Sequence, residues 1–301
     1  MPKGQVHLFT SAKKPVKPTL FYECLRSPMK NCWIAACHLQ FDKNRKVAVF
    51  SSPIKRKELP KDTRVFPTIL VPDIKPTKVP TVWECKIRDC IVGTKQEKGI
   101  DFPESYCPVG LSSMFKTVLA LTAAIGNILG IYDVKNAFQT SLAPEEFRIW
   151  VTAPRIYMEW YVTTDEEFDY DEKEEYVRLC YNGNQGTKAA PKIWYDTLDR
   201  ILQAFGFKKS TVDHALFVKF IEPDGWFYCL ISTDDLLCSF PTQDLFVQLK
   251  DFLCQYFELS TQEGKVLTYL NMRIIQGNKS ITLDQAEYIF DLLTQQCGTD
   301  I

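Results

Sequence analysis

The sequence predicts an α+β fold organised on antiparallel sheet, and three observations carry that expectation. Its strand-like stretches come in hairpins rather than in β-α-β alternation. Amphipathic helical periods fall between the hairpins, at 112–125, 195–205 and 243–257. At 301 residues and 46% hydrophobic content, the chain can bury core for two or more lobes.

The elements follow in order. Residues 1–25 are polar with scattered Lys and Pro, and read as a loosely ordered lead-in. Ser27-Pro28 opens a helical stretch, MKNCWIAACHLQF, with Trp33, Ile34, Cys37 and Phe41 on one face. In 42–80, rich in Lys, Arg and Pro, short strand-like pieces at 46–50 and 68–71 lie between prolines that argue against long regular structure. TVWECKIRDCIV, 81–92, reads as a strand with Lys86 and Arg88 on one face. A helix over 112–125 takes Ser112 as N-cap and Gly126 as stop, and aligns Met114, Val118, Leu121 and Ile125. ILGIYDV then forms a short strand with Asp133 near its end, while the acidic run 163–175 reads as a solvated loop. Helices follow at 195–205 (Leu198, Ile201, Leu202, Phe205; stop at Gly206) and 243–257 (cap Thr242; Leu245, Leu249, Phe252, Leu253). The tail forms a hairpin around Gly277-Asn278 and a last helix over 285–293.

The stretch with most chemistry is WFYCLISTDDLLCSF, 226–240. An apolar run at 215–221, the turn Glu222-Pro223-Asp224-Gly225 and a second apolar run predict a hairpin; Asp234 and Asp235 then fall in a bend before a returning strand. Two carboxylates between core-forming strands need compensation, and a divalent cation is the usual one. On spacing alone the pair reads equally well as a polar β-turn. Asp133 closes another apolar strand; were the two strands neighbours, three carboxylates would converge as a two-metal phosphoryl-transfer site requires. Between them lies QGTKAAPKIWY. Its Gly186 permits close backbone approach, Lys188 brings a cation, and Pro191 suits a helix start; an ordinary loop entering a helix reads the same way.

Charge is split along the chain. Residues 1–100 hold 20 Lys and Arg against 8 Asp and Glu, and residues 101–301 hold 16 against 29. That points to a polyanion on a basic lobe and metal chemistry on an acidic one, with a lysine-rich solvated surface as the alternative. Eleven scattered cysteines without a C-x-x-C pair fit a reducing compartment; Cys32, Cys37 and His38 lack the second ligand pair of a zinc site. No apolar run reaches the roughly 18 residues of a membrane span, and the first residues lack a signal-peptide core.

DVKNAF, QGTKAAPKIWY and the Asp-Asp hairpin, in this order, resemble the reverse transcriptase of copia-type LTR retrotransposons, from near Ser27 to about Leu293. KIRDCIVGTKQEKGIDFPESYCPV and YLNMRI with ITLDQAEYIFDLL resemble further stretches of it. The resemblance implies a right-hand polymerase: a lead-in 1–25; basic fingers 26–115; palm 116–140; fingers 141–187, with the acidic loop 163–175; palm 188–275; and 276–301 ending the palm and starting a truncated or absent thumb. It implies RNA-directed DNA polymerisation by two-metal nucleotidyl transfer to a primer 3′-hydroxyl. Asp133, Asp234 and Asp235 would be catalytic and hold Mg²⁺ or Mn²⁺, with the Val134 carbonyl as a further ligand. Lys86, Arg88, Ala137, Phe138, Gln185, Gly186 and Lys188 would bind the nucleotide, Phe138 excluding a 2′-hydroxyl. Ser232, Thr233 and Lys192 would meet template and primer. The implied partners are an RNA or DNA template, a primer strand, dNTPs and other Pol-derived domains, with no membrane. The implied location is intracellular, in a cytoplasmic particle or the nucleus. The chain departs from the family at Ser232 and Thr233, where an aromatic and a small or aliphatic residue are usual, and at Val92 and Leu111, where basic residues are usual. Those departures predict weakened substrate grip, or in the alternative a catalytically silent nucleic-acid-binding or domesticated derivative.

Overall fold

The computed structural model describes residues 7–13 and 15–297. In chain order the elements are β1 (Leu8–Thr10), α1 (Phe21–Arg26), α2 (Lys30–Lys46), β2 (Ile54–Lys55), β3 (Val65–Phe66), β4 (Thr68–Pro76), β5 (Val82–Ile91), α3 (Ser112–Ile125), β6 (Ile128–Val134), β7 (Ile149–Thr152), α4 (Arg155–Tyr161), β8 (Tyr176–Cys180) and α5 (Ala190–Ala204). There follow β9 (Lys208–Lys209), β10 (Leu216–Ile221), β11 (Gly225–Ser232), β12 (Asp235–Phe240), α6 (Gln243–Leu253), β13 (Leu259–Glu263), β14 (Val266–Tyr269), β15 (Met272–Gly277), β16 (Ser280–Asp284) and α7 (Ala286–Cys297). The architecture is mixed α+β, and all its strand pairs are antiparallel except β3 with β7. The chain divides into two compact units, 1–105 with 138–194, and 106–137 with 195–301.

The first unit holds the sheets β1-β5-β4 and β2-β8-β7-β3. On β5, Cys85, Ile87, Asp89 and Ile91 point inward, leaving Lys86 and Arg88 on the other face, as alternation requires. Its main core joins Trp33, Cys37 and Phe41 of α2 to Cys85, Ile87, Tyr157 and Trp160. Two expectations change here, and a third gains detail. The lead-in carries β1, paired with β5, and the start of α1. The segment limited by prolines contains the nine-residue β4, with Pro72 and Pro76 inside it. β4 lies at a sheet edge, where a missing N–H costs no ladder bond. The acidic run is a mostly exposed loop, as expected, and its carboxylates also make ion pairs: Asp169 with Lys55 (3.3 Å), Glu174 with Lys57, and Glu172 with Arg155 (3.0 Å).

The second unit holds a six-stranded sheet, β13-β6-β12-β11-β10-β9, and the meander β14-β15-β16. Tyr132 stacks on Phe246 of α6 at 4.8 Å, and a Cβ on Gly130 would sit 2.5 Å from that Phe246 ring. Glycine there lets α6 lie against the sheet. Helix α3 buries Phe115, Val118, Leu119 and Thr122, while Leu121 and Ile125 stay exposed. The expected stripe is thus rotated, and Leu111 rather than Ser112 occupies the N-cap. Gly126 ends the helix at φ 82, the left-handed turn a glycine stop predicts. Helix α6 ends at Leu253, one turn earlier than its apolar period suggested.

Candidate active site

The centre of the second unit's sheet is where its carboxylates meet. β11 and β12 form a hairpin whose last register pair is Ser232 with Asp235, leaving Thr233-Asp234 as a two-residue loop. Thr233 carries φ 54, a left-handed conformation that a β-branched residue rarely adopts. Such a conformation costs about 1–3 kcal/mol and persists only where surrounding bonds hold it. One such bond is that of the Val134 N–H, which donates to the Asp234 carbonyl (2.9 Å) and ties the tip to β6.

β6 runs between β12 and β13, and its register sets Asp133 directly opposite Asp235. Directly opposed antiparallel residues hold their Cβ atoms about 4.5–5.5 Å apart. The strand-neighbour condition posed by the sequence is therefore met for Asp133 and Asp235. On the other side Asp133 faces Ser260 of β13, whose Oγ donates to Asp133 Oδ2 (2.7 Å). Asp234 is exposed at the tip, and Asp133 and Asp235 are half-buried. Burial, then repulsion from Asp133 and Asp234, pushes the Asp235 carboxyl up to about 6. The nearby Lys135 ammonium is engaged by Glu258 (2.7 Å). Hard oxygen donors with mutually repelling charge fit a divalent cation. Among the described residues, however, no three His, Cys, Asp or Glu side chains are gathered as a chelating group, so the three carboxylates do not form a closed cage.

The expected nucleotide-binding residues other than Ala137 lie in the first unit. Burial, then the cations Lys75, Arg88 and Lys43, push the Lys86 ammonium below its ordinary range. Arg88 pairs with Asp73 (3.3 Å). Burial pushes the Asp73 carboxyl up, but Lys17 and Arg88 outweigh it and hold that carboxyl low. Gly186 has φ 91, and a Cβ there would lie 2.1 Å from the Ile91 carbonyl oxygen, so only glycine fits. The Gln185 carbonyl accepts from the Ile91 N–H (2.8 Å). Lys188 is tied to Gln96, its Nζ donating to the Gln96 carbonyl (2.9 Å). Phe138 is half-buried and Ala137 buried; Lys192 is half-buried on α5. Sequence reasoning missed Ser260, because only the β6–β13 register brings it to Asp133. It also missed Asn184 and Gln139, buried amides carrying no motif of their own.

The sheet sets Asp133 opposite Asp235, beside a hairpin tip that bears Asp234. The chain belongs to the reverse transcriptase (RNA-dependent DNA polymerase) family, whose profile matches residues 55–300. That agrees with the resemblance to copia-type elements. It is 27% identical over 275 residues to the retrovirus-related Pol polyprotein from transposon TNT 1-94 of Nicotiana tabacum, covering 91% of this chain and 19% of that protein. It is 30% identical over 130 residues to a putative transposon Ty5-1 protein of Saccharomyces cerevisiae, covering 43% of this chain and 42% of that one. It is 26% identical over 210 residues to the Pol polyprotein from transposon RE1 of Arabidopsis thaliana, covering 70% and 13% respectively. The chain thus spans about a fifth of the length of the tobacco relative. Among the described residues no helix is long and apolar enough to cross a membrane.

Proposed function

We propose that this chain is the polymerase module of a copia-type element, extending a primer on an RNA or DNA template from dNTPs. In this reading the second unit is the palm, the first the fingers of a right-hand polymerase, and other Pol-derived domains complete the assembly inside the cell, in a particle or the nucleus. The observation that carries the reading is the register pair Asp133 with Asp235, one residue from Asp234. In the reaction the primer 3′-oxygen bonds to the α-phosphorus of the dNTP, the α–β anhydride bond breaks, and pyrophosphate leaves. Asp133, Asp234 and Asp235, with the Val134 carbonyl, would hold Mg²⁺ or Mn²⁺, which when bound supplies charge neutralisation and hydroxyl activation. Ser260 fixes one oxygen of Asp133. Lys86 and Arg88 supply positive charge for the triphosphate; Phe138 floors the sugar; Gln185, Gly186 and Lys188 bind the nucleotide, and Ala137 is read as a further nucleotide contact. Ser232, Thr233 and Lys192 meet primer and template.

Primer extension on an RNA template with Mg²⁺ or Mn²⁺ tests the reading, with Asp133→Asn, Asp234→Asn and Asp235→Asn as comparisons. Incorporation by the wild type that each substitution abolishes supports it. Equal incorporation by all four proteins rejects the site. The second reading, a silent nucleic-acid-binding derivative, is favoured by Ser232 at the primer-seating position. It predicts template–primer binding with no incorporation at any metal concentration.

A further inference from the structure

Beside Phe138 lies a buried polar junction that the reading above does not use. Segment 138–143 is docked on segment 181–184 along its length. Ala143 N–H donates to the Tyr181 carbonyl (2.8 Å), and Gly183 N–H to the Ser141 carbonyl (2.7 Å). Asn182 Nδ2 donates to the Gln139 carbonyl (2.5 Å), and Gln139 Nε2 donates to Asn184 Oδ1 (3.2 Å). A Cβ on Gly183 would sit 2.9 Å from the Phe138 carbonyl oxygen, so the approach is close. Asn184 then turns to the third segment: its Nδ2 donates to the Asp89 carbonyl of β5 (3.0 Å). Gln139 is 3% exposed and Asn184 0%. An isolated buried amide is costly to leave unpaired, so these groups hold one another in a single arrangement. Each sits next to a residue of the nucleotide reading, Gln139 beside Phe138 and Asn184 beside Gln185.

We propose that Gln139 and Asn184 are specificity-determining positioning residues: an amide relay that fixes Phe138 relative to β5, and thereby sets discrimination between deoxy- and ribonucleotides. The proposal rests on the reading of Phe138 as the floor under the sugar. Phe138 is half-buried rather than sealed in core, so its ring position depends on its backbone. Without the Gln139–Asn184 bond, the short turn at 138–140 loses the tie between the Gln139 side chain and the 181–187 loop. The ring can then yield to a 2′-hydroxyl.

The test uses the intact chain on an RNA template with a dideoxy-terminated primer, measuring binding of dCTP and of CTP, which differ only at the 2′ position, without turnover. Primer extension with the same nucleotides on an unblocked primer runs in parallel. Asn184→Leu and Gln139→Leu should each lower the dCTP-over-CTP preference by about tenfold, chiefly by tightening CTP, a split that general destabilisation would not give. Thermal unfolding checks that each variant folds, and the Gln139 variant serves if the Asn184 variant does not. The double variant should lose no more than either single, because both break one relay. Equal weakening of dCTP and CTP, or additive losses, would overturn the relay. Phe138→Val separates the two levels. If it relaxes the preference while both amide variants keep it, only the relay falls. If Phe138→Val leaves the preference unchanged, the sugar-floor reading falls and takes the relay with it.

Discussion

Two aspartates on sheet strands show opposite solutions to the same electrostatic problem. Asp89, in the first unit, is 1% exposed and bonded to Arg178 at 2.8 Å. Arg178 is itself fully buried, its guanidinium 3.8 Å from the Phe50 ring centroid and 4.1 Å from that of Tyr157. Asn44 adds a weak bond to the same carboxylate oxygen (3.4 Å) and is bonded in turn by Gln40 (2.8 Å). Asp235, in the second unit, is half-buried and faces another carboxylate instead of a cation. Among the described residues neither Asp133 nor Asp235 has a cationic side chain within ion-pair distance. A charge that serves the fold is closed by the fold. The Asp235 charge has no such partner among the described residues, and burial with repulsion from Asp133 and Asp234 raises its carboxyl.

The contrast can be broken most forcefully at Arg178. Arg178→Leu leaves Asp89 buried without its partner, and stability should fall by about 3–5 kcal/mol in denaturant unfolding. Replacing Asp89 by Leu as well should recover much of that loss, since the uncompensated charge is gone. A loss under about 1 kcal/mol for the single change would mean that water or another cation closes the site.

At the open site the same kind of change should spare the fold and destroy the reaction. Asp235→Asn should lower nucleotide incorporation by at least roughly a thousandfold, about 4 kcal/mol, in single-turnover primer extension. Circular dichroism and template–primer affinity should stay near wild type.

The pH dependence sharpens the comparison further. The Asp235 value near 6 lies above the ordinary 3.8, so its stabilising contribution is complete below about pH 4 and is lost as pH rises through about 6. Asp235→Asn should therefore raise Tm near pH 8, with the difference closing toward about pH 4. Solvent screening of this half-buried group limits the gain to about 1 kcal/mol, or roughly 2–4 °C. Mg²⁺ should raise the wild-type Tm through binding to the folded state, and Asp235→Asn should abolish that rise. A Tm difference that is flat with pH would show that burial and the neighbouring carboxylates do not raise the Asp235 carboxyl.

The smallest effect concerns the basic front. Lys55 and Lys57 are held by Asp169 and Glu174, so part of the charge excess in 1–100 is neutralised internally. Asp169→Asn with Glu174→Gln should strengthen template binding modestly. The log–log salt slope should steepen by about 0.7–0.9 for each phosphate newly neutralised. An unchanged slope would mean that this patch does not meet nucleic acid.

Much was legible in the chain because it is local. The apolar runs of β6, β10, β11 and β12 are bounded by their own turn residues, and Gly126 ends α3 where the period ends. The hairpin that carries Asp234 and Asp235 is closed by residues next to them in sequence, so alternation and turn chemistry were enough to find it. Elements whose reason is elsewhere were missed or misplaced. β1 exists only because β5 offers it an edge, β4 keeps its prolines only because it is an edge, and α3 is rotated by what covers it.

The sequence by itself determined which residue types are available for the proposed chemistry: the three aspartates, the glycine of the QGTK loop and the alternating cations of β5. Tertiary structure alone decided which of them face each other. Asp133 and Asp235 are 102 residues apart in number, and only the β6–β12 register sets them opposite; Ser260 reaches Asp133 only through β13. The relay through Gln139, Asn184 and the Asp89 carbonyl joins three distant segments in the same way. Local propensity and period are short-range properties written along the chain. Strand pairing and the satisfaction of buried polar groups are settled by partners far away in sequence, and those appear only when the sheets have closed.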